Sequence, residues 1–179
     1  MVEKTKAIFL DRDGIVNRAI IVRKKPYPPL KLTDTYPVEG IKELIKFWHE
    51  LGYLVLVVTN QPDIASNLVT LKEVERINKY LQSLVGFDDA FICPHSNKDS
   101  CDCRKPKIGL FKQAEKKYNI SLSDSFMIGD RWKDIEAGHN AGCTTIFVDY
   151  DYSEKKPENF DYIVKNVKEI KELKIKKLE

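Results

Sequence analysis

The stretch AIFLDRDGIVN, residues 7–17, places Asp11 and Asp13 directly after an apolar run. The run KAIFLD, residues 6–11, has the length and composition of a buried β-strand. Two carboxylates this close repel each other, so we expect a positive group to join them. Alternate residues of an extended chain project to the same side, which gives Asp11 and Asp13 a suitable spacing to act on one ligand. Gly14 allows a sharp turn after them.

Strand-like and helix-like segments alternate along the rest of the chain. Further strands are predicted at residues 53–60, 89–93, 125–130, 144–149 and 161–166. Helices are predicted at residues 38–51, 70–85, 107–118, 133–141 and in the lysine-rich end that contains Ile170, Leu173 and Ile175. Thr70 with Glu73 forms a capping-box pattern at the start of the second helix. This alternation predicts an α/β fold, a central parallel sheet with helices on both faces.

Composition indicates an ordinary globular protein of 179 residues, with 42% hydrophobic and 32% charged residues. We expect one domain over residues 1–179. The net charge of +3 is too small to indicate nucleic acid binding. We expect no membrane association, because no stretch is long and apolar enough to cross a bilayer and the start lacks a signal-peptide core. We therefore expect a cytoplasmic monomer, and reduced cysteines rather than disulfides.

Polar side chains follow three of the predicted strands, where each apolar run ends. Asp11 and Asp13 follow the first, Thr59 and Asn60 the second, and Asp130 a later one. In open α/β sheets, ligands bind in the crevice at the carboxyl ends of the strands. Carboxylates gathered there require a cation, and an all-oxygen ligand set suits Mg²⁺ with a substrate phosphate. The alternative is that each aspartate is an ordinary turn residue or helix cap.

A magnesium-bound phosphate beside these acids indicates phosphoryl chemistry. One carboxylate can attack phosphorus and form an aspartyl-phosphate. A second acid can protonate the departing oxygen and later accept a proton from water. Asp11 and Asp13 have a suitable spacing for these two roles.

Residues 93–107 form a loop rich in possible metal ligands. Its pattern is C-x-H-x5-C-x-C, in which three thiolates and one imidazole match a closed tetrahedral zinc site. Four protein ligands leave no open position on the metal, so the zinc is predicted to be structural. The alternative is a set of reduced, partly buried cysteines with a surface histidine. The predicted zinc ligands are Cys93, His95, Cys101 and Cys103.

The motifs DRDG, VVTNQ and GDRWKD resemble motifs I, II and IV of the haloacid dehalogenase (HAD) superfamily of phosphatases. The segment CPHSNKDSCDCRKP resembles the zinc loop of its histidinol-phosphate and D-glycero-D-manno-heptose 1,7-bisphosphate phosphatase subgroup. The resemblance covers residues 5–150 and implies a Rossmann-like fold without a large cap domain.

The resemblance implies a role for each matching residue. Asp11 is the expected nucleophile and a magnesium ligand, and Asp13 is the expected acid/base with its backbone carbonyl on the metal. Asp130 completes the magnesium site. Thr59 and Lys105 are expected to hold and neutralise the phosphoryl group, and Asp134 to bind metal through water or to orient Lys105. The expected substrate-binding residues are Asn60, Gln61, Arg104 and Arg131.

Some segments depart from the subgroup. The sequence PDIASN after Gln61 lacks the arginine that the subgroup carries at the position of Ser66. Arg23, Lys24 and Lys25, in the proline-rich segment 18–37, can replace that contact or form a solvated basic loop. The zinc loop is shorter than expected between His95 and Cys101. Trp132 is expected either to stack on a sugar or to cover the site.

These patterns predict a magnesium-dependent phosphomonoester hydrolase with a structural zinc. The resemblance implies a phosphorylated sugar as substrate, with removal of the 7-phosphate of heptose 1,7-bisphosphate as the first expectation. Histidinol phosphate is the second, and a polynucleotide 3′-phosphate is a weaker third, because no basic stripe interleaved with aromatic residues is present. A non-catalytic, zinc-stabilised binding module is the alternative from another class.

Overall fold

The computed structural model describes residues 4–175 and contains eight β-strands and four α-helices in that range. The strands are β1 (Ala7–Leu10), β2 (Ile20–Val22), β3 (Lys25–Tyr27), β4 (Leu54–Asn60), β5 (Asp89–Cys93), β6 (Phe126–Gly129), β7 (Thr144–Val148) and β8 (Tyr162–Val164). The helices are α1 (Ile41–Glu50), α2 (Leu71–Val85), α3 (Gly109–Tyr118) and α4 (Trp132–Ala141).

Six strands form one parallel sheet in the order β5-β4-β1-β6-β7-β8. From β1, the strands β4 and β5 are added on one side of the sheet, and β6, β7 and β8 are added on the other. This reversal of direction beside β1 is where a ligand crevice forms in open α/β sheets. The predicted Rossmann-like α/β fold is confirmed, and no large cap domain is evident among the described residues.

Helices cover both faces of the sheet, because the apolar positions on each helix recur at helical spacing. Leu44 of α1 and Leu81 of α2 pack with β1 and β4 residues in one core cluster. Leu110 of α3 and Ala137 of α4 pack in a second cluster on the other face. The predicted cap of α2 is present: Thr70 Oγ1 accepts a hydrogen bond from the Glu73 amide at 3.2 Å.

Two segments differ from the sequence-based expectation. Residues 18–37 contain an antiparallel hairpin of β2 and β3, followed by a short 3-10 helix at Leu32–Asp34. The hairpin was not predicted because both strands are three residues long and mostly exposed. Their sequences therefore show no regular alternation of buried and exposed residues. The prediction of an α-helix at the C-terminal end was wrong where it can be examined: Val167–Glu172 form a 3-10 helix. Residues 176–179 of that prediction lie outside the described range.

None of the helices described between residues 4 and 175 has both the length and the apolar character needed to cross a membrane.

Candidate active site

Three buried aspartates meet at the carboxyl end of the sheet. Oxygens of Asp11, Asp130 and Asp134 all lie within 4.8 Å of one another. Asp11 follows β1, and its amide donates to the Ile128 carbonyl of β6 at 3.0 Å, which fixes it beside the strand that carries Asp130. Gly14 has a φ of +108°, and a Cβ there would collide with the Asp130 carboxylate. The sequence DRDG therefore turns back against Asp130 in a way that requires glycine.

Lys105 supplies a positive charge to this cluster. Its ammonium group lies 2.6 Å from Asp11 Oδ1 and 2.7 Å from Asp134 Oδ1, and it donates to the Val58 carbonyl at 2.7 Å. Burial alone would lower the pKa of Lys105, but the two carboxylates outweigh it and raise that pKa. Lys105 is therefore a fully charged, buried lysine, and Asp134 shares it with Asp11.

The cluster contains three carboxyl groups for one ammonium group, so the carboxyl groups oppose one another's ionisation. Burial, followed by the neighbouring Asp134, raises the pKa of Asp11 to about 7, although Lys105 acts in the opposite direction. Burial and Asp11 likewise raise the pKa of Asp130 well above its ordinary value. Asp130 Oδ1 is buried and has no hydrogen-bond partner among the described residues. Crowded carboxylates with an unpartnered buried oxygen are a donor set that fits a hard divalent cation such as Mg²⁺.

The carboxylate of Asp13 is not part of that cluster and is held separately. It accepts hydrogen bonds from Arg12 Nη2 at 2.9 Å, Asn17 Nδ2 at 3.1 Å and Gln61 Nε2 at 2.8 Å. These donors fix its orientation at the edge of the cleft. Arg12 and Asn17 were not predicted as site residues. Gln61 was predicted to bind substrate, and its amide group donates to Asp13 and Thr59 in this structure.

The end of β4 holds the segment that carries Lys105. Asn60 Nδ2 donates to the Lys105 carbonyl, and the Lys105 amide donates to Asn60 Oδ1, both at 3.0 Å. This reciprocal pair resembles the pairing of two backbone amides and fixes the lysine relative to the sheet. Thr59, which precedes Asn60, is almost fully buried and accepts from Gln61 at 2.9 Å.

The predicted zinc ligands converge. One ligand atom from each of Cys93, His95, Cys101 and Cys103 lies within 4.8 Å of all the others. His95 Nδ1 is 3.2 Å from the Cys103 sulfur, and the Cys93 and Cys103 sulfurs are 3.1 Å apart. The three cysteines of the cluster form no disulfide bond among the described residues. Burial and hydrogen bonds from the neighbouring thiols raise the pKa of Cys103 to about 12, a penalty that a coordinated dication reverses. The cluster is compatible with zinc.

A cleft of about 300 Å³ opens over these groups. It is lined by Asp11, Asp13, Thr59, Asn60, Lys105 and Asp134, together with the basic residues Lys25, Arg104, Arg131 and Lys133. Arg104 is directed by the zinc loop, since its guanidinium donates to Asn97 Oδ1 and the His95 carbonyl. Lys25 belongs to β3, so the hairpin forms part of the wall. Lys25 lines this cleft, whereas Arg23 and Lys24 of the same hairpin do not.

The loop after β7 adds contacts that were not predicted. The Tyr152 hydroxyl donates to Asp130 Oδ2 at 2.8 Å. Burial and Asp130 raise the pKa of Tyr152, so the hydroxyl keeps its proton. Glu154 forms a bidentate pair with Arg131, at 2.9 and 2.6 Å, so that the guanidinium of this predicted substrate ligand is already engaged. Nothing in the local sequence signals these pairs, because they join a loop to the end of a different strand.

Trp132, at the start of α4, does not line the cleft. Its ring instead contacts the ammonium groups of Lys133 and Lys155, at 5.4 and 5.2 Å from the ring centre.

Comparison with known proteins agrees with this geometry. The family model described as HAD-hydrolase-like matches residues 102–170. A D-glycero-beta-D-manno-heptose-1,7-bisphosphate 7-phosphatase of Helicobacter pylori strain J99 is 42% identical over 149 residues, which are 79% of this chain and 81% of that protein. The D-glycero-alpha-D-manno-heptose-1,7-bisphosphate 7-phosphatase of Campylobacter jejuni is 34% identical over 93% of this chain and 94% of that protein.

Among solved structures, the D,D-heptose 1,7-bisphosphate phosphatase of B. bronchiseptica, complexed with magnesium and phosphate, matches with a TM-score of 0.77. The match covers 94% of this chain and 97% of that one at 24% identity, and supports the fold. Together with the identity to the H. pylori and C. jejuni proteins over most of their lengths, these findings show that the chain belongs to the HAD superfamily of phosphatases, in the subgroup that includes the heptose-bisphosphate 7-phosphatases.

Proposed function

We propose that the chain is a Mg²⁺-dependent phosphomonoester hydrolase that removes the 7-phosphate of D-glycero-D-manno-heptose 1,7-bisphosphate. The observation that carries the proposal is the buried cluster in which Lys105 joins Asp11 and Asp134 beside the unpartnered oxygen of Asp130. Such a cluster has three carboxyl groups for one ammonium group, an imbalance that a divalent cation offsets and that lets the cation bridge the carboxylates to a substrate phosphate.

In the proposed reaction, a carboxylate oxygen of Asp11 attacks phosphorus. The bond from that oxygen to phosphorus forms as the bond from phosphorus to the sugar oxygen breaks. Asp13 gives a proton to the departing oxygen, which leaves as an alcohol. Asp13 then takes a proton from water, and the hydroxide that results attacks the phosphorus of the aspartyl-phosphate, which regenerates Asp11 and releases phosphate.

The remaining residues position these groups. Arg12, Asn17 and Gln61 fix the Asp13 carboxylate at the cleft, which is the geometry that proton transfer requires. Thr59 and Asn60, at the end of β4, are proposed to hold the transferring phosphoryl group. Lys105 offsets negative charge on Asp11 and on that group.

The proposed magnesium ligands are Asp11, Asp130 and the backbone carbonyl of Asp13, with Asp134 orienting Lys105. When bound, Mg²⁺ neutralises phosphate charge and orients the group for in-line displacement. The Cys93, His95, Cys101 and Cys103 cluster is proposed to hold a structural zinc that keeps Arg104 and Lys105 at the cleft.

The basic lining of the cleft supports a substrate with two phosphates. One phosphoryl group occupies the site between Asp11 and Thr59, and its charge is matched by Lys105 and the cation. Lys25, Arg104, Arg131 and Lys133 line the same cleft, and the Arg131 side chain is already paired with Glu154. The others remain for a second anionic group, and Arg104 is the one that the zinc loop positions. The names of the relatives indicate the same substrate class.

We further propose that the chain acts as one domain and as a monomer in a reducing compartment such as the cytoplasm. The proposed nucleophile, acid/base and buried metal ligands all lie within this one chain, which is the arrangement that a monomeric enzyme needs. The thiols of the zinc cluster bind metal only while they are reduced.

The test is phosphate release with Mg²⁺ from a panel of substrates at equal concentration. The panel contains the α and β anomers of heptose 1,7-bisphosphate, because the relatives divide between them, together with heptose 7-phosphate and histidinol phosphate. We expect the highest kcat/KM with a heptose bisphosphate. A preference for histidinol phosphate would reject the proposed substrate, and no release from any ester would favour a binding module.

The mechanism is tested with Asp11→Asn, and Asp34→Asn is the matched control because Asp34 is exposed and does not line the cleft. We expect a loss of about a thousandfold or more in kcat for Asp11→Asn and no change for the control. Activity that survives in Asp11→Asn would reject the covalent mechanism.

A further inference from the structure

The Asp130 carboxylate has two oxygens in different situations. Oδ2 accepts the hydrogen bond of the Tyr152 hydroxyl at 2.8 Å. Oδ1 is buried without a partner among the described residues. A donor on one oxygen restricts rotation of the carboxylate, and here it leaves the other oxygen to a different ligand.

The loop that carries Tyr152 is anchored on both sides of this contact. Asp149 binds Lys156 at 3.0 Å and Lys165 at 2.9 Å, and Glu154 binds Arg131, the residue that follows Asp130. These ion pairs hold the chain at either end of a short segment. The loop that places the Tyr152 hydroxyl against Asp130 is therefore held in position by ion pairs.

The same loop is joined to the hairpin that walls the cleft. The Ser153 amide donates to the Lys24 carbonyl at 2.8 Å, in the turn between β2 and β3. Lys24 also lies 3.7 Å from the Asp151 carboxylate. Tyr152 thus lies on a segment that contacts the hairpin wall and Asp130 together.

We propose that Tyr152 is a positioning residue for the divalent cation: it binds Asp130 Oδ2 and thereby directs Oδ1 to the metal. Removal of the hydroxyl frees the carboxylate to rotate and leaves Oδ2 without its donor. Loss of a residue that orients a metal ligand lowers metal affinity by about 10- to 100-fold. The inference rests on the proposed magnesium site, and it adds a residue that does not touch substrate or metal.

The test compares Mg²⁺ binding by wild type, Tyr152→Phe and the matched control Tyr150→Phe. Tyr150 is the neighbouring tyrosine, with its ring centre 5.8 Å from that of Tyr152, and it makes no hydrogen bond to Asp130. The readouts are the Kd for Mg²⁺ from calorimetry and the Mg²⁺ concentration that gives half-maximal phosphatase rate. We expect both to rise about tenfold or more in Tyr152→Phe, with kcat at saturating Mg²⁺ within a few-fold of wild type. Both should stay at the wild-type values in Tyr150→Phe.

The outcomes separate this inference from the proposed function. Wild type that binds no Mg²⁺ would reject the magnesium site, and Tyr152 would lose its role with it. Wild type that binds Mg²⁺ while Tyr152→Phe binds it equally well would overturn the positioning role alone. A fall in kcat that saturating Mg²⁺ does not restore, with unchanged Kd, would also overturn it.

A second measurement applies should Tyr152→Phe fail to fold, as judged by its circular dichroism. Titration of the Tyr150→Phe protein with Mg²⁺ is then followed by near-ultraviolet difference absorbance of tyrosine. We expect a saturable tyrosine signal with the same Kd as the calorimetric one, because the cation and Tyr152 share one carboxylate. No signal at saturating Mg²⁺ would overturn the proposal.

Discussion

The ammonium group of Lys105 lies 2.6 Å from Oδ1 of Asp11, although the two residues are 94 positions apart in the chain. Asp134 lies at nearly the same distance from that ammonium group, so one lysine balances two buried carboxylates. The arrangement joins Asp11, the proposed nucleophile that follows β1, to the segment after the zinc ligands and to α4.

Replacement of Lys105 by methionine is expected to lower kcat by about 10²- to 10³-fold, because the charge on Asp11 and the phosphoryl group loses its partner. It is also expected to lower the free energy of unfolding by about 3 kcal/mol, since the variant leaves Asp11 and Asp134 buried without a counter-charge. Steady-state kinetics and urea denaturation measure the two effects. Lys112→Met, on the exposed face of α3, is the control. A kcat within threefold of wild type would contradict the assigned role.

Replacement of Asp13 by asparagine is expected to affect substrates according to their leaving groups. Sugar phosphates need a proton on the departing oxygen, so their kcat/KM should fall by about 10²- to 10⁴-fold. An aryl phosphate with an acidic leaving group needs less help and should lose far less. Thr59→Val is the control, because a residue that holds the phosphoryl group should affect both classes equally. An equal loss for both classes in Asp13→Asn would reject the acid role.

Substitution of Cys103 by serine is expected to remove bound zinc and to lower Tm and kcat together. The loop 93–103 contributes little apolar surface of its own, so its order depends on the metal. Zinc content from elemental analysis is compared with thermal unfolding and phosphate release. Cys143→Ala is the control, because this buried cysteine lies outside the cluster and should keep the wild-type zinc content. Wild-type kcat in zinc-free Cys103→Ser would show that the metal does not position Lys105.

The carboxylate of Asp149 gives a prediction for acid stability. Burial would raise its pKa, but Lys165 and Lys156 outweigh that effect and lower the pKa from 3.8 to about 2. A group with a lowered folded-state pKa stabilises the fold above its unfolded pKa and loses that contribution as pH falls toward the folded value. Because both lysines are largely exposed, solvent screening reduces the contribution to about 1 kcal/mol.

The corresponding experiment is urea denaturation of wild type and Asp149→Asn between pH 6 and pH 3. We expect wild type to be more stable by about 1 kcal/mol at pH 6, and the difference to shrink below about pH 4. A difference that stays constant across that range would show that ionisation of Asp149 is not its source.

Strand ends were the part of this protein that local sequence predicted best. A buried run such as LVLVV must stop where polar residues begin, and parallel strands bring those ends to one edge of the sheet. This is why Asp11, Thr59 and Asp130 were expected together, and the structure does place Asp11 and Asp130 in one cluster.

Contacts made by short exposed segments could not be predicted from the local sequence. The three-residue strands of the hairpin carry no burial period, and Tyr152 lies in a loop of polar residues that resembles an ordinary turn. Its contact with Asp130 depends on the path of the loop after β7, which brings Tyr152 back to the end of β6, and no local sequence pattern predicts that path. The C-terminal end was predicted as an α-helix because Ile170 and Leu173 have helical spacing. A spacing of three residues also fits the tighter 3-10 helix that forms there.

The reciprocal amide pair between Asn60 and Lys105 has an evolutionary consequence. Because the lysine is held by a sheet strand as well as by the proposed zinc cluster, residues inserted between the zinc ligands can change the shape of the pocket while both anchors keep the ammonium group in place. Loop length and phosphoryl chemistry are thereby free to diverge independently. A scaffold of this kind can acquire a new substrate through insertions and deletions alone, while the reacting groups keep their places.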